Sequence, residues 1–101
     1  MSSAQTIRHV IIRGMVQRVG FRAWTEYTAL EHGLDGWARN RRDGTVEAVF
    51  AGPADKVAAM IKDCHNGPRG ARVTTVDERE GSAEDLALRQ ADAGFSVLPT
   101  A

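Results

Sequence analysis

A single cysteine, Cys64, stands in 101 residues, so neither an intrachain disulfide framework nor a thiolate zinc site can be built from this chain. That scarcity points to a reducing compartment, and the expected location is the cytoplasm. Continuous apolar runs are short, far below the roughly 18 residues of a membrane span. The opening MSSAQT lacks the basic start and apolar stretch of a secretory leader, which argues against export. Internal repeats, low-complexity tracts and an interdomain linker are missing as well, leaving one domain over residues 1–101. His9, His32 and His65 show no ligand spacing, so no metal or cofactor is expected and each histidine reads as structural.

What is present is the balance of an ordinary globule, 43% hydrophobic and 26% charged. A chain of this length buries roughly 60 to 70% of its unfolded surface, enough for one core without staples. Net charge is zero but unevenly spread: residues 1–42 hold seven arginines against three acids, a net of +4, and the remainder carries −4. A basic half suits an anionic ligand, either a small phosphate or a nucleic acid, although a solvated arginine-rich surface has the same composition.

The periodicities order the elements. β-branched Val10, Ile11 and Ile12, apolar on both parities, predict a central strand over residues 6–13. FRAWTEYTALEHG sets Ala23, Tyr27 and Leu30 at helical spacing, with Phe21 and Trp24 flanking and Gly33 as the stop. LDGWARNRRDGTVEAVFAG reads as two strands joined at Asp43-Gly44, with Val46, Ala48 and Phe50 facing the core and Thr45, Glu47 and Val49 opposite. A second helix runs from Pro53 to Gly67, its buried face formed by Val57, Met60, Ile61 and Cys64, which makes Cys64 a packing residue. ARVTTVDERE is a strand in which the opposite parity of Val73 and Val76 marks a bulge. Residues 81–93 read mostly as loop, with a Ser82/Asp85 helical turn as the exception, and FSVL as a short last strand. The order βαββαβ plus a terminal strand predicts an α+β, ferredoxin-like sandwich, an antiparallel sheet with two helices on one face. That fold hosts enzymes, metal carriers and RNA binders, so it decides no function.

Between the first strand and helix lies GMVQRVGFR. A helix N-terminus leaves its first N–H groups unpaired at the positive end of the dipole, a ready anion site. Gly14 and Gly20 allow the loop to turn its N–H groups inward. Arg22, in the first helical turn, leans back over the same cradle and can grip two phosphate oxygens. No Gly-Lys-Ser/Thr ends the loop, so it is not a Walker motif.

GMVQRVGFR, followed by GWARNRRDGTVE, resembles the acylphosphatase family, whose pattern is a Gly-x-Val-Gln-Gly-Val-x-Phe-Arg loop and a later Gly-Trp-x-x-Asn strand running into Asp-Gly-Thr-Val. The resemblance continues through Gly52-Pro53, the second helix, GPRGARV and Phe95, nearly the whole chain. It implies that Arg22 binds the phosphoryl group, that Asn40 orients the attacking water, and that Met15, Val16, Gln17, Arg18, Val19 and Gly20 form the backbone cradle. The substrate would be a small-molecule acyl phosphate, with inorganic phosphate or sulfate as competitive ligands, and the protein a monomer. One position departs: the family commonly has glycine where this chain has Arg18. If that position requires positive φ, an arginine there is strained by about 1 kcal/mol.

An acyl phosphate departs as a carboxylate, already stable at neutral pH, so the chemistry needs no acid to protonate it. What remains is to hold the phosphoryl group, stabilise its charge and aim one water. Arg39, Arg41 and Arg42, beside Asn40 in sequence, would steer anions toward such a site. The alternative is a non-catalytic anion-binding domain or an RNA-binding module using the same arginines with Trp37. The latter calls for aromatics exposed on paired central strands, and none are paired in this sequence, where Trp24, Trp37 and Tyr27 read as core or sheet cover.

Overall fold

The computed structural model describes residues 5–89 and 94–101. The elements are β1 (Thr6–Met15), α1 (Phe21–Glu31), β2 (Asp35–Asn40), β3 (Val46–Gly52), α2 (Ala54–Cys64), β4 (Arg72–Glu80), α3 (Ala83–Leu86) and β5 (Phe95–Val97). Their sheet order is β4-β1-β3-β2-β5. β1 is central, pairing antiparallel with both β3 and β4. The first four strands make the expected antiparallel ferredoxin-like sheet. β5 then joins β2 in parallel, so the complete sheet is mixed.

The main core lies between the sheet and α1 and α2. Val10, Ile12, Ala38, Val46, Ala48 and Phe50 from the strands meet Ala29, Val57, Met60, Ile61 and Cys64 from the helices. α2 buries the four residues its spacing predicts. Burial pushes the Cys64 thiol up to about 12, as befits a packing residue rather than a nucleophile.

α1 corrects the sequence reading. Its buried residues are Phe21, Thr25, Thr28 and Ala29, whereas Ala23 is exposed, Tyr27 is 65% exposed and Leu30 54%. Thr25 satisfies its own hydroxyl by donating to the Phe21 carbonyl at 2.7 Å, which lets it enter the core as a small apolar residue. Phe21 packs its ring edge-on against Trp24, the centroids 5.3 Å apart. Tyr27 therefore covers neither the sheet nor the core.

β3 is buried along its full length, on both faces. The second face is covered by α3, which a Ser82/Asp85 capping box initiates as expected and which packs against β1 and β3. Trp37, only 1% exposed, donates its indole N–H to the Asp85 carbonyl at 2.7 Å. Residues 90–93, the end of the stretch read as loop, lie outside the described residues.

β1 runs two residues past its predicted end. At Arg13/Gly14 the β1–β4 register shifts, leaving Thr74 between the partners of Arg13 and Gly14. This is the bulge that Val73 and Val76 announced. Gly14 takes φ 126° there, and a Cβ would sit 2.1 Å from the Arg72 carbonyl oxygen, so no other residue fits. Strand and bulge together deliver the chain to the loop before α1.

Candidate active site

Residues 16–20 connect β1 to α1 beside the C-terminal end of β2. Val16 is 1% exposed and anchors the loop in the core, and Val19 packs against the same cluster. Gln17 turns away from the loop's inner side. Its side-chain amide donates to the carbonyls of Arg41 (2.7 Å) and Thr45 (2.9 Å), stapling the loop to the β2–β3 hairpin. That hairpin is itself pinned by Asp43, which accepts from the Thr45 N–H (3.0 Å) and hydroxyl (2.6 Å); these bonds hold the Asp43 carboxyl below its ordinary pKa.

Arg18 has φ 64°, the only non-glycine at positive φ among the described residues. The position does require the glycine-like conformation, at a cost of about 1 kcal/mol. Gly20 follows in the left-handed region (φ 78°, ψ 21°) as the residue preceding α1, with no side-chain cap. The first bond of the helical ladder runs from the Trp24 N–H to the Gly20 carbonyl, 3.0 Å. The N–H groups of Phe21, Arg22 and Ala23 precede it and lie at the positive end of the helix.

Asn40 reaches the same place from the sheet. It ends β2 on the face shared with Ala38, toward the helices, while Arg39 faces the other way. Its backbone is held opposite Val46 of β3, and its carbonyl accepts from the Ala101 N–H at 3.0 Å. A cavity of about 280 Å³ opens here, lined by Arg22, Asn40, Val16, Arg18 and Gly20 together with Phe21, Ala23, Glu26 and Val97. Of the residues singled out in the sequence, Arg22, Asn40, Val16, Arg18 and Gly20 thus converge. Met15 belongs to β1 and is 66% exposed; Met15, Gln17 and Val19 do not line the cavity.

Neither the Arg22 guanidinium nor the Asn40 amide has a hydrogen-bond or ion-pair partner among the described residues. Most of the other early arginines are committed. Arg8 bridges Glu78 at 3.1 Å and Arg13 bridges Asp77 at 2.9 Å. Arg39 donates to Glu47 at 2.7 Å and lies over the Trp37 ring, 4.8 Å from its centroid, on the opposite face of the sheet. It therefore faces away from the cavity it was expected to serve. Arg41 lies 3.6 Å from the same Glu47, so of that trio only Arg42 is exposed and without a carboxylate partner among the described residues. Trp37 is buried, so the arginine-and-tryptophan surface that RNA would need is not assembled. No group of three metal-ligating side chains occurs among the described residues.

The family model for acylphosphatase matches residues 8–96. The chain belongs to the acylphosphatase family. Among similar curated acylphosphatases, that of Rhodopseudomonas palustris (strain BisB18) is 54% identical over 94 residues, covering 93% of this chain and 95% of the relative. That of Bradyrhizobium diazoefficiens is 53% identical over 97 residues, covering 96% and 98%. The solved structure of an acylphosphatase from Coxiella burnetii superposes with a TM-score of 0.81 at 31% identity, covering 93% of each chain. The acylphosphatase membership accounts for the loop and the Gly-Trp-x-x-Asn strand together. The Gln17 staple was missed in the sequence because a polar residue in a glycine-flanked loop carries no sign of which carbonyls it will meet. Its only signal was a place inside the family pattern.

Proposed function

We propose that the protein is an acylphosphatase, cleaving carboxyl-phosphate anhydrides to a carboxylate and inorganic phosphate. The observation that carries this is the convergence on one cavity of a guanidinium and an amide, both without a partner among the described residues, and a helix N-terminus. The Arg22 fork and the N–H groups of the loop and first helical turn hold the phosphoryl oxygens, matching donors to the charge that spreads over them in the transition state. The Asn40 side chain offers a donor and an acceptor to one water and aims it in line. As the water oxygen bonds to phosphorus, the bond from phosphorus to the acyl oxygen breaks and its electron pair leaves on the carboxylate. The water's proton passes to a phosphate oxygen. No step calls for an acid catalyst, a metal or a cofactor.

All the residues assigned to the site belong to one chain, which supports reading the protein as a monomeric, single-domain enzyme. The scarcity of cysteine, with Cys64 alone in the sequence, supports a cytoplasmic setting. The test is hydrolysis of benzoyl phosphate by the purified chain with and without EDTA. Turnover insensitive to the chelator is expected, with competitive inhibition by phosphate or sulfate and a melting temperature raised by either anion. Absent or EDTA-abolished turnover would contradict the proposal, and an unchanged melting temperature at saturating phosphate would remove the anion cradle.

A further inference from the structure

Glu26 has no place in the chemistry above, yet it walls the cavity. It follows Arg22 by four residues on α1, which sets the two Cβ atoms about 5 to 6 Å apart on one helix face. Both side chains lean toward the helix N-terminus by the same geometry, so the carboxylate stays about one turn behind the guanidinium. It is half-buried and, among the described residues, the only acid on the lining. Asp35, Glu47, Asp63, Asp77, Glu78 and Asp85 all meet a basic side chain. Glu26 has no side-chain partner among the described residues.

An unpartnered carboxylate beside an anion site opposes the phosphoryl group of every substrate, so on that ground alone it is unfavourable. It becomes useful if it distinguishes what is attached to the phosphate. Besides the residues assigned to the phosphoryl group and the water, the lining includes Ala23 in the first turn of α1, Glu26 one turn further along it and Val97 on β5. The two apolar residues accept hydrocarbon, and the acid places negative potential where an acyl group would lie. The cleft is therefore dipolar: basic at the phosphate, acidic one helical turn away.

We infer that the cleft selects acyl phosphates whose acyl group carries a positive charge, with Glu26 as the residue that sets this preference. The inference rests on the acylphosphatase reading and deepens it. Two charges roughly 6 Å apart in a partly solvated cleft interact strongly enough to separate cationic from anionic substrates by about tenfold, an effect that fades with salt.

The experiment compares kcat/KM for para-(aminomethyl)benzoyl phosphate and para-carboxybenzoyl phosphate, with benzoyl phosphate as the neutral reference. The protein is assayed as wild type, Glu26→Gln and Glu26→Lys. The cation-to-anion ratio is expected to fall by about tenfold from wild type to Glu26→Gln and to fall further in Glu26→Lys. Intrinsic reactivities of the two acyl phosphates cancel in that comparison. In wild type alone, the ratio should shrink as ionic strength rises from about 0.02 to about 0.5 M, which keeps the test open if a variant fails to fold. A ratio unchanged by either substitution, or by salt, overturns the role of Glu26 while benzoyl phosphate hydrolysis stands. No hydrolysis of any of the three overturns the acylphosphatase reading itself.

Discussion

Arg39 and Asn40 are neighbours in β2, but the sheet sends them to opposite faces and into opposite electrostatic regimes. On the α3 side, Arg39 and His9 both bond the buried Glu47, at 2.7 and 2.6 Å. Burial pushes the Glu47 carboxyl up, but the hydrogen bonds from His9 and Arg39 and the Arg39 charge outweigh it, leaving its pKa below the ordinary value. On the α1 side, the Asn40 amide and the Arg22 guanidinium have no partner among the described residues, and Arg18 holds a strained backbone beside them. Charge satisfied inside the protein supports the fold and is unavailable to a ligand. Charge left open contributes little to stability and remains free to meet a phosphate.

That contrast predicts a clean separation of effects. Arg22→Ala should lower kcat/KM by about two to four decades, roughly 3 to 5 kcal/mol of transition-state stabilisation, while moving the melting temperature by only a few degrees. Activity within about threefold of wild type would take Arg22 out of the site. Asn40→Ala comes next, with kcat down by about two decades and, again, little change in stability.

Glu47→Ala should show the reverse pattern. Leaving Arg39 and His9 without their buried acceptor should cost about 3 kcal/mol of unfolding free energy in urea titrations, with kcat per folded molecule largely retained. A large loss of kcat without loss of stability would erase the distinction between the two faces. The pH dependence follows from the sign of the shift: a carboxyl whose folded pKa is depressed stabilises above its unfolded value, about 4.3, and that contribution is lost as pH falls through the folded value. Glu47→Gln should therefore flatten the acid limb of the stability curve, and Arg22→Ala should leave it unchanged.

The smallest effect belongs to Arg18. Arg18→Gly releases the positive-φ strain but adds unfolded-state entropy, so the net gain should be about 0.5 kcal/mol. Arg18→Ala keeps the strain and should give no gain. Phosphate affinity at low ionic strength should fall about threefold in both, a difference that salt removes.

The same two faces show what the sequence could convey. α2 was legible because Val57, Met60, Ile61 and Cys64 are apolar at one-face spacing. α1 was not, because Thr25 and Thr28 are buried while Tyr27 and Leu30 point outward, an inversion that hydrophobic periodicity cannot register. The sequence assigned Val46, Ala48 and Phe50 to the core and Thr45, Glu47 and Val49 to the opposite face of β3; the burial of that second face depends on His9, Arg39 and α3, which lie elsewhere along the chain. The site was legible where chemistry is local, in the glycines around the loop and in Arg22 within the first helical turn. Asn40 was identified through the two-block family pattern. Grouping Arg39 with it failed because adjacency along a strand alternates across the sheet, and Arg41, past the strand's end, lies near the same Glu47.

The central claim is that Arg22 holds phosphate and Asn40 only aims water, and phosphate binding separates them most directly. Calorimetric titration of inorganic phosphate into wild type, Arg22→Ala and Asn40→Ala, beside kcat for benzoyl phosphate, reads both roles in one set of proteins. The account predicts a Kd for Asn40→Ala within about threefold of wild type despite its collapsed kcat, and a Kd for Arg22→Ala weakened by about tenfold or more. An Asn40→Ala protein that keeps its kcat but no longer binds phosphate would contradict it.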